Sequence, residues 1–316
     1  MILDIILIIL GIVLVLTGAD RLTEGASSLA RRMNVPEMVI GLTIVAAGTS
    51  APELFVSVAS ALKGTPDLAV GNVVGSNIMN TLLIVGVTAM VAPMAISRTT
   101  VNKDIPFTVL ASVLLIILCM DGFSSLSIAG HEISRLDGLV LLLAFTSFMV
   151  YTLSTAKQEE VAVSAKMMPV WKACFWLVVG LAFLVIGSNL FVDSASAVAR
   201  QLNVSDSIIG LTIVAGGTSL PELATSVVAA RKGKSAIAIG NVIGSNVFNI
   251  LMILGLTATI CPMQIGGITL IDLSVMLVSM LMVWLFCFTR LTVARWEGAV
   301  LTLGYLAYAG WLLSQT

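Results

Sequence analysis

Long apolar runs separated by short polar connections make up almost the whole chain. One helix needs about 20 mostly apolar residues to cross a bilayer core about 30 Å thick. Ten segments of the 316-residue chain meet this requirement, and we predict an all-α polytopic membrane protein with ten transmembrane helices. The predicted spans are residues 3–30, 37–62, 68–92, 105–121, 136–153, 171–199, 205–230, 236–261, 268–289 and 296–313.

The pattern of apolar and polar positions occurs twice along the chain. GTSAPE at residues 48–53 returns as GTSLPE at 217–222, and GNVVGSNIMN at 71–80 returns as GNVIGSNVFN at 240–249. Both pairs are offset by 169 residues, the difference between 48 and 217. The two copies therefore align from the first motif to the second without an insertion or a deletion. Because the duplication preserves polar residues inside apolar runs, packing alone does not explain it, and it predicts two structural repeats.

Lysine and arginine residues predict how the repeats are oriented. Most of the 16 fall in the connections after the first, third, fifth, seventh and ninth spans, which places those connections in the cytoplasm. We therefore expect a first five-helix repeat at residues 1–153 with its N-terminus outside, and a cytoplasmic linker at 154–170. A second five-helix repeat at 171–316 would then be inverted, because five is odd, with the substrate site near the midplane between the repeats.

The GTSAPE motif at residues 48–53 places a carboxylate within an apolar run. Glu53 would lose several kcal/mol of hydration in hydrocarbon unless a positive charge meets it. Pro52 has no N–H, so we expect a kink that frees backbone carbonyls near Ala46 and Gly48. Thr49 lies four residues before Glu53 and therefore on the same helical face. A single copy could equally be a kinked helix with a protonated, hydrogen-bonded glutamate, but the second copy at 217–222 argues against packing alone.

Other polar residues repeat in the third and eighth spans. Ser76 and Asn80 are four residues apart, as are Ser245 and Asn249, so each pair presents a hydroxyl and an amide oxygen on one face. The adjacent asparagines, Asn77 and Asn246, are expected to support the kinks by bonding the freed carbonyls.

Helix 1 carries three charged residues toward its end. We interpret Asp20, Arg21 and Glu24 as a structural cluster that pairs locally or with loop charges, with a role in gating as the alternative.

Together the two copies predict one set of oxygen ligands, which favours a hard cation such as Na⁺ or Ca²⁺ over a soft metal. Two carboxylates balance one Ca²⁺ or two Na⁺, and Ca²⁺ accepts six to eight oxygens in forgiving geometry. The predicted ligands are the carboxylates of Glu53 and Glu222, the hydroxyls of Thr49, Ser50, Ser76, Thr218, Ser219 and Ser245, the amides of Asn80 and Asn249, and the carbonyls near Ala46 and Ala215.

Composition excludes several other classes of function. The chain is 58% hydrophobic and 10% charged, with a mean hydropathy of +1.08, and it has no basic arm for nucleic acid. The four cysteines are far apart and are interpreted as small core residues. The single histidine, His131, is expected in a solvated loop, and no nucleophile–base pair can be placed, so we predict no enzyme and no cofactor.

The doubled motif resembles the two α-repeats of the calcium/cation antiporter superfamily, specifically the prokaryotic sodium/calcium exchangers. The resemblance covers nearly the whole chain and implies ten helices, inverted halves and both termini outside. It implies Ca²⁺ coordination by Glu53 and Glu222, with the other predicted ligands completing the site. It also implies exchange of several Na⁺ for one Ca²⁺ by alternating access, with helices 1 and 6 sliding across the rest.

The chain departs from that family in two places. Many sodium/calcium exchangers have aspartate where this chain has Asn249, so the ion ratio and the involvement of protons or potassium stay open. The linker is far too short for the large regulatory domain of the animal exchangers, so regulation by cytosolic Ca²⁺ sensing is not expected.

We therefore expect an antiporter of the prokaryotic inner membrane that exports Ca²⁺ using the Na⁺ gradient. No ATP-binding motif occurs, which makes the transport secondary. The alternative is exchange of H⁺ for Ca²⁺ or another cation, since glutamates also carry protons, and a cation channel is a more distant one. The expected partners are Ca²⁺ and Na⁺ as substrates and the lipid bilayer, with no nucleic acid and no obligatory protein partner.

Overall fold

The computed structural model describes residues 2–120, 132–156, 168–202, 215–266 and 268–314. Within these ranges seven helices are long and apolar enough to cross a membrane, or eight if a bent pair counts as one span. The prediction of a helical polytopic membrane protein is confirmed. His131, the middle of the expected linker and the start of the seventh predicted span lie outside the described residues.

The first half begins with one long helix, and its next two spans are interrupted. Three segments in it are π-helical, with one extra residue in each hydrogen-bonded turn. In order, the elements are α1 (Ile2–Met33), α2 (Glu37–Ile40), π-helical Gly41–Val45, α3 (Ala46–Thr49), α4 (Ala51–Leu62), α5 (Pro66–Ile78), π-helical Met79–Ile84, α6 (Val85–Val91), β1 (Met94–Ala95), π-helical Thr100–Asp104, α7 (Ile105–Cys119), β2 (Glu132–Ile133) and α8 (Arg135–Thr155).

The described part of the second half follows the same plan. It has a long first helix, a broken second span and a π-helical segment inside the third. Its elements are α9 (Val170–Gln201), α10 (Ala215–Thr218), α11 (Leu220–Arg231), α12 (Ser235–Val247), π-helical Phe248–Ile253, α13 (Leu254–Ile260), β3 (Met263–Gln264), α14 (Leu270–Arg290), β4 (Thr292–Val293) and α15 (Arg295–Ser314).

Both halves interrupt their second span at the repeated motif. The helices before and after Ser50 are bent by 46°, which confirms the kink predicted from Pro52. Ser50 and its counterpart Ser219 share nearly the same backbone conformation, with φ of −82° and −90° and ψ of 6° for both. Pro52 and Pro221 lie in the first turn of the helix that follows, where the missing N–H is tolerated.

The expected free carbonyl at Ala46 is wrong. The backbone N–H of Ser50 donates to Ala46 O at 2.9 Å, so the last turn of α3 remains hydrogen-bonded. The reason is that the break falls at Ser50, two residues before Pro52, so the turn from Ala46 to Ser50 stays intact. A carbonyl oxygen has two lone pairs, so Ala46 O keeps one acceptor position.

The third spans of the two halves form the centre of the bundle. In the most apolar window of each helix, 94% of Ser235–Ile260 and 78% of Leu68–Val91 is buried, against 22% of Arg135–Ser154. α1 and α9 are also peripheral, with 22% and 28% of their windows buried. The polar motifs of the central helices therefore lie in the interior of the protein.

α1 and α9 pack against each other as an antiparallel pair with their backbones in contact. A methyl group added to Gly18 would lie 2.7 Å from Gly180 O, and one added to Gly187 would lie 2.7 Å from Gly11 O. Gly25 is equally close to Ala173 O on the same face. Small residues at this seven-residue spacing allow the close approach, as predicted for membrane helices without a hydrophobic driving force between them.

Two short antiparallel ladders join the halves. β1 pairs with β4, with Met94 opposite Val293, and β2 pairs with β3, with Ile133 opposite Met263. β1 and β3 are repeat counterparts, and each pairs with a strand that precedes the last helix of the other half. The halves are therefore tied together reciprocally through their connections as well as through their helices.

The charged cluster of α1 contacts the second half. Lys232 Nζ lies 2.5 Å from Asp20 Oδ1 and 3.1 Å from Glu24 Oε1, and Arg21 Nη1 is 3.4 Å from Glu24 Oε2. The Arg21 guanidinium also lies 4.6 Å from the ring centroid of Trp176 on α9. The interpretation of these residues as an ion-pair cluster that reaches a loop charge is confirmed.

The glycine contacts make a testable prediction about stability. We expect Gly18→Val to lower the thermal midpoint of the detergent-solubilised protein, since overpacking a tight contact costs about 1–3 kcal/mol. Gly310→Ala is the control, because an added methyl at Gly310 has no neighbour within 4 Å. Equal midpoints for Gly18→Val and the wild type would contradict the close backbone contact.

Candidate functional site

Four segments, two from each half, converge in the interior. The GTSxPE motifs break the second span of each half, and the breaks turn the following glutamates inward. Glu53 and Glu222 are 1% and 0% exposed, and both lie in the first turn of the helix that follows the break. The central spans contribute the serine and asparagine side chains opposite them.

Each glutamate is bonded to the serine of the other half. Ser50 Oγ donates to Glu222 Oε1 at 3.0 Å, and Ser219 Oγ donates to Glu53 Oε1 at 3.2 Å. Both serines are buried, at 1% and 0% exposed. This reciprocal pair of bonds brings the two motifs together across the boundary between the halves, although they are far apart in sequence.

The predicted hydroxyls of the central helices lie in the same network. Ser245 Oγ is 3.4 Å from Glu222 Oε1, and Ser76 Oγ is 3.5 Å from Ser219 Oγ. Thr49 Oγ1 lies 3.4 Å from Ser245 Oγ, so the hydroxyls of both halves are continuous. Thr218 is half-buried and has a partner of its own, and it ends α10, the short helix that begins at Ala215.

The asparagines of the central helices lie beside these hydroxyls. Asn80 Nδ2 donates to Asn246 Oδ1 at 3.1 Å, which links the third span of each half. Asn249 is 0% exposed, within the π-helical segment that follows α12. The expectation that Asn77 and Asn246 support the broken helices is wrong, since Asn246 bonds Asn80 and Asn77 has no hydrogen-bond partner among the described residues.

Asn72 performs that supporting role in the first half. Its Nδ2 donates to the backbone carbonyl of Glu53 at 3.3 Å and to Ser57 Oγ at 3.1 Å. The bonds fix the start of α4 against α5 and thereby set the position of the glutamate. Sequence reasoning missed Asn72, although the 169-residue offset also matches Asn72 with Asn241 and Ser57 with Ser226.

Asn241 makes the same two contacts in the second half. Its Nδ2 donates to Glu222 O at 3.3 Å and to Ser226 Oγ at 3.1 Å. Its Oδ1 also accepts a hydrogen bond from Thr49 Oγ1 of the first half at 3.0 Å.

Several buried oxygens of the network have no hydrogen-bond partner among the described residues. They include one oxygen of each glutamate, Glu53 Oε2 and Glu222 Oε2, and the amide oxygens Asn80 Oδ1 and Asn249 Oδ1. A buried polar atom without a partner is costly, and a buried carboxylate much more so. These unpaired oxygens are hard donors of the kind that alkali and alkaline-earth cations bind.

The site has no built-in cation and no soft ligands. Within the described part of the chain, no lysine or arginine forms a salt bridge with Glu53 or Glu222. The described residues also contain no group of three or more histidine, cysteine, aspartate or glutamate side chains able to hold a metal. A bound ion would therefore meet two carboxylates and neutral oxygens, which fits a transported ion better than a permanently held transition metal.

Comparison with known proteins agrees with this geometry. The family described as "Sodium/calcium exchanger protein" matches residues 3–154 and 172–314. The inner membrane protein YrbG of Escherichia coli is 36% identical over 97% of this chain and 95% of its own length. The sodium/calcium exchanger MaX1 of Methanosarcina acetivorans is 33% identical over 96% of both chains.

A solved structure of the sodium-calcium exchanger NCX_Mj, soaked with zero Na⁺ and Ca²⁺, superposes with a TM-score of 0.85 at 31% identity. The superposition covers 98% of this chain and 99% of that one. Sequence family, full-length relatives and fold therefore agree, and the chain belongs to the sodium/calcium exchanger family.

Proposed function

We propose that this protein is a secondary-active antiporter that exports Ca²⁺ in exchange for Na⁺ by alternating access. The observation that carries the proposal is the unpaired oxygen on each of two buried glutamates, Glu53 and Glu222. Family membership and the names of the full-length relatives support the same ions.

Charge balance supports exchange between these ions. Two carboxylates are neutralised by one Ca²⁺ or by two Na⁺, so either load offsets the cost of burying them. Since the same oxygens would hold both, Ca²⁺ and Na⁺ compete for them. The ligands we propose are the predicted set, with Glu53 and Glu222 supplying charge and Thr49, Ser50, Ser76, Asn80, Thr218, Ser219, Ser245, Asn249 and the carbonyls of Ala46 and Ala215 supplying neutral oxygens.

The proposed transport unit is one chain of two inverted repeats in the cytoplasmic membrane. Residues 1–153 and 171–316 form the repeats, residues 154–170 form a cytoplasmic linker, and both termini are on the outer side. The charge bias of the connections supports this orientation. The reciprocal strand pairing supports the two-fold relation between the halves.

We expect Glu53→Gln and Glu222→Gln each to abolish Na⁺-gradient-driven ⁴⁵Ca²⁺ uptake into proteoliposomes. Each change keeps the shape of the side chain and removes one of the two charges that balance Ca²⁺. Glu132→Gln, which alters an exposed carboxylate on β2, is the matched control and should transport like the wild type. Normal uptake by either site variant would contradict the proposed role of that glutamate.

We also expect Ca²⁺ uptake to stop when choline replaces Na⁺ inside the vesicles while the pH gradient is clamped at zero. Sodium is the only driving ion under these conditions, so its removal leaves no energy for uphill movement of Ca²⁺. Uptake that survives without Na⁺ and follows an imposed pH gradient would instead identify a proton/calcium exchanger.

A further inference from the structure

We propose that Asn241 is a positioning residue of the ion site that orients the Thr49 hydroxyl toward the cation. This inference rests on the proposed function and adds to it a residue that is not itself a ligand. Asn241 is 0% exposed, and its side chain uses both ends of its amide within the site.

The argument begins with the chemistry of a hydroxyl ligand. A hydroxyl binds a cation through a lone pair, so its proton has to point at another acceptor. Thr49 Oγ1 lies 3.0 Å from Asn241 Oδ1, and the other acceptors within 3.5 Å, Ala46 O and Ser245 Oγ, are both 3.4 Å away. Asn241 Oδ1 is therefore the best-placed acceptor for the Thr49 proton.

The other end of the same amide fixes the acceptor in place. Asn241 Nδ2 donates to Glu222 O and Ser226 Oγ, so the side chain cannot rotate without breaking two bonds. The result is a rigid connection from the backbone of the second-half glutamate to a hydroxyl of the first half. A movement of Glu222 relative to the first half would therefore shift the Thr49 hydroxyl, and a movement of Thr49 would shift the start of α11.

Asn72 provides the internal comparison. It makes the two donor contacts in the first half, and none of the hydrogen bonds described for Thr49 goes to it. Replacing Asn72 therefore removes the support of a broken helix and leaves the acceptor for Thr49 in place, while replacing Asn241 removes the equivalent support together with that acceptor.

The test is a double-mutant cycle of Thr49→Val and Asn241→Ala, measured as exchange in proteoliposomes. A hydrogen bond to a ligand is worth roughly 1 kcal/mol, so we expect each single change to raise the apparent KM for Na⁺ and Ca²⁺ about five- to tenfold, with a smaller effect on kcat. In the Thr49→Val background, Asn241→Ala should cost less than it does alone, because the hydroxyl that its Oδ1 orients is already gone and only the two donor bonds remain to be lost.

Two controls separate this from a structural defect. Thermal midpoints identify variants that fail to fold. Asn72→Ala measures the loss of the equivalent support in the first half without removing the acceptor of Thr49, and its effect should combine additively with that of Thr49→Val. Additive effects of Thr49→Val and Asn241→Ala would overturn the positioning role while leaving the exchanger function intact. Absence of exchange by the wild type would overturn the proposed function and this role with it.

An independent observation carries a second inference. We infer that Lys232 and Lys63 form ion pairs in alternation, Lys232 with the acids of α1 in one state and Lys63 with Asp193 of α9 in the other. Lys232 holds Asp20 and Glu24 of α1, two acids on one helical face. The 169-residue offset matches Lys232 with Lys63 and Glu24 with Asp193 of α9. Lys63 and Asp193 are both exposed and form no ion pair in the described structure.

The ion pairs of Lys232 have no described equivalent at Lys63, and this difference distinguishes the two ends of the α1–α9 pair. One end of α1 is fastened to the loop between α11 and α12, while the equivalent acid on α9 is separate from the loop between α4 and α5. In inverted repeats these positions lie at opposite membrane faces. A movement of α1 and α9 that exchanges the roles of the halves would break the first contact and form the second.

Paired cysteines test this in a variant whose four native cysteines are replaced by serine or alanine. We expect Glu24→Cys with Lys232→Cys, and Lys63→Cys with Asp193→Cys, each to crosslink in a fraction of molecules and each crosslink to stop exchange. With all four cysteines present, the two crosslinks should exclude each other in a single molecule. Molecules that carry both crosslinks, or a 63–193 pair that never forms in exchanging protein, would overturn the alternation.

Discussion

The two buried glutamates are the constraint on which the rest of the interior depends. Each carboxylate is held by a serine from the opposite half, through Ser50 to Glu222 and Ser219 to Glu53, and each retains one oxygen with no described partner. The broken helices and the asparagine supports keep these groups together in an apolar bundle. Two bare carboxylates are costly to bury, and one Ca²⁺ or two Na⁺ would neutralise them.

That cost also accounts for coupling under the proposed function. Moving a charge through a low-dielectric barrier is expensive, so a site with two bare carboxylates resists reorientation across the membrane. Loading with Ca²⁺ or with Na⁺ removes the penalty. Exchange without leakage then needs no further device, because the unloaded carrier is the state that the bilayer disfavours.

Much of the fold and part of the site could be predicted from the sequence. Apolar length and the duplicated motif indicated the membrane class, the kink at Pro52 and the pairing of Glu53 with Glu222. The acceptor of each hydroxyl could not be predicted, since it depends on how far each helix is rotated toward its neighbour. The same limit explains the errors at Ala46, whose carbonyl stays bonded, and at Asn77, whose role is taken by Asn72 one turn and a half earlier.

The π-helical segments Met79–Ile84 and Phe248–Ile253 occupy matching places in the two halves, and each includes a site asparagine. Each π-helical turn holds one residue more than an α-helical turn, and such turns are frequent at functional sites. Rewinding it to α-helical form would swing the side chains on one side of it by about 100°, the angle between successive α-helical residues. Asn80 and Asn249 thus lie where a local change of helical winding would withdraw or restore an amide oxygen.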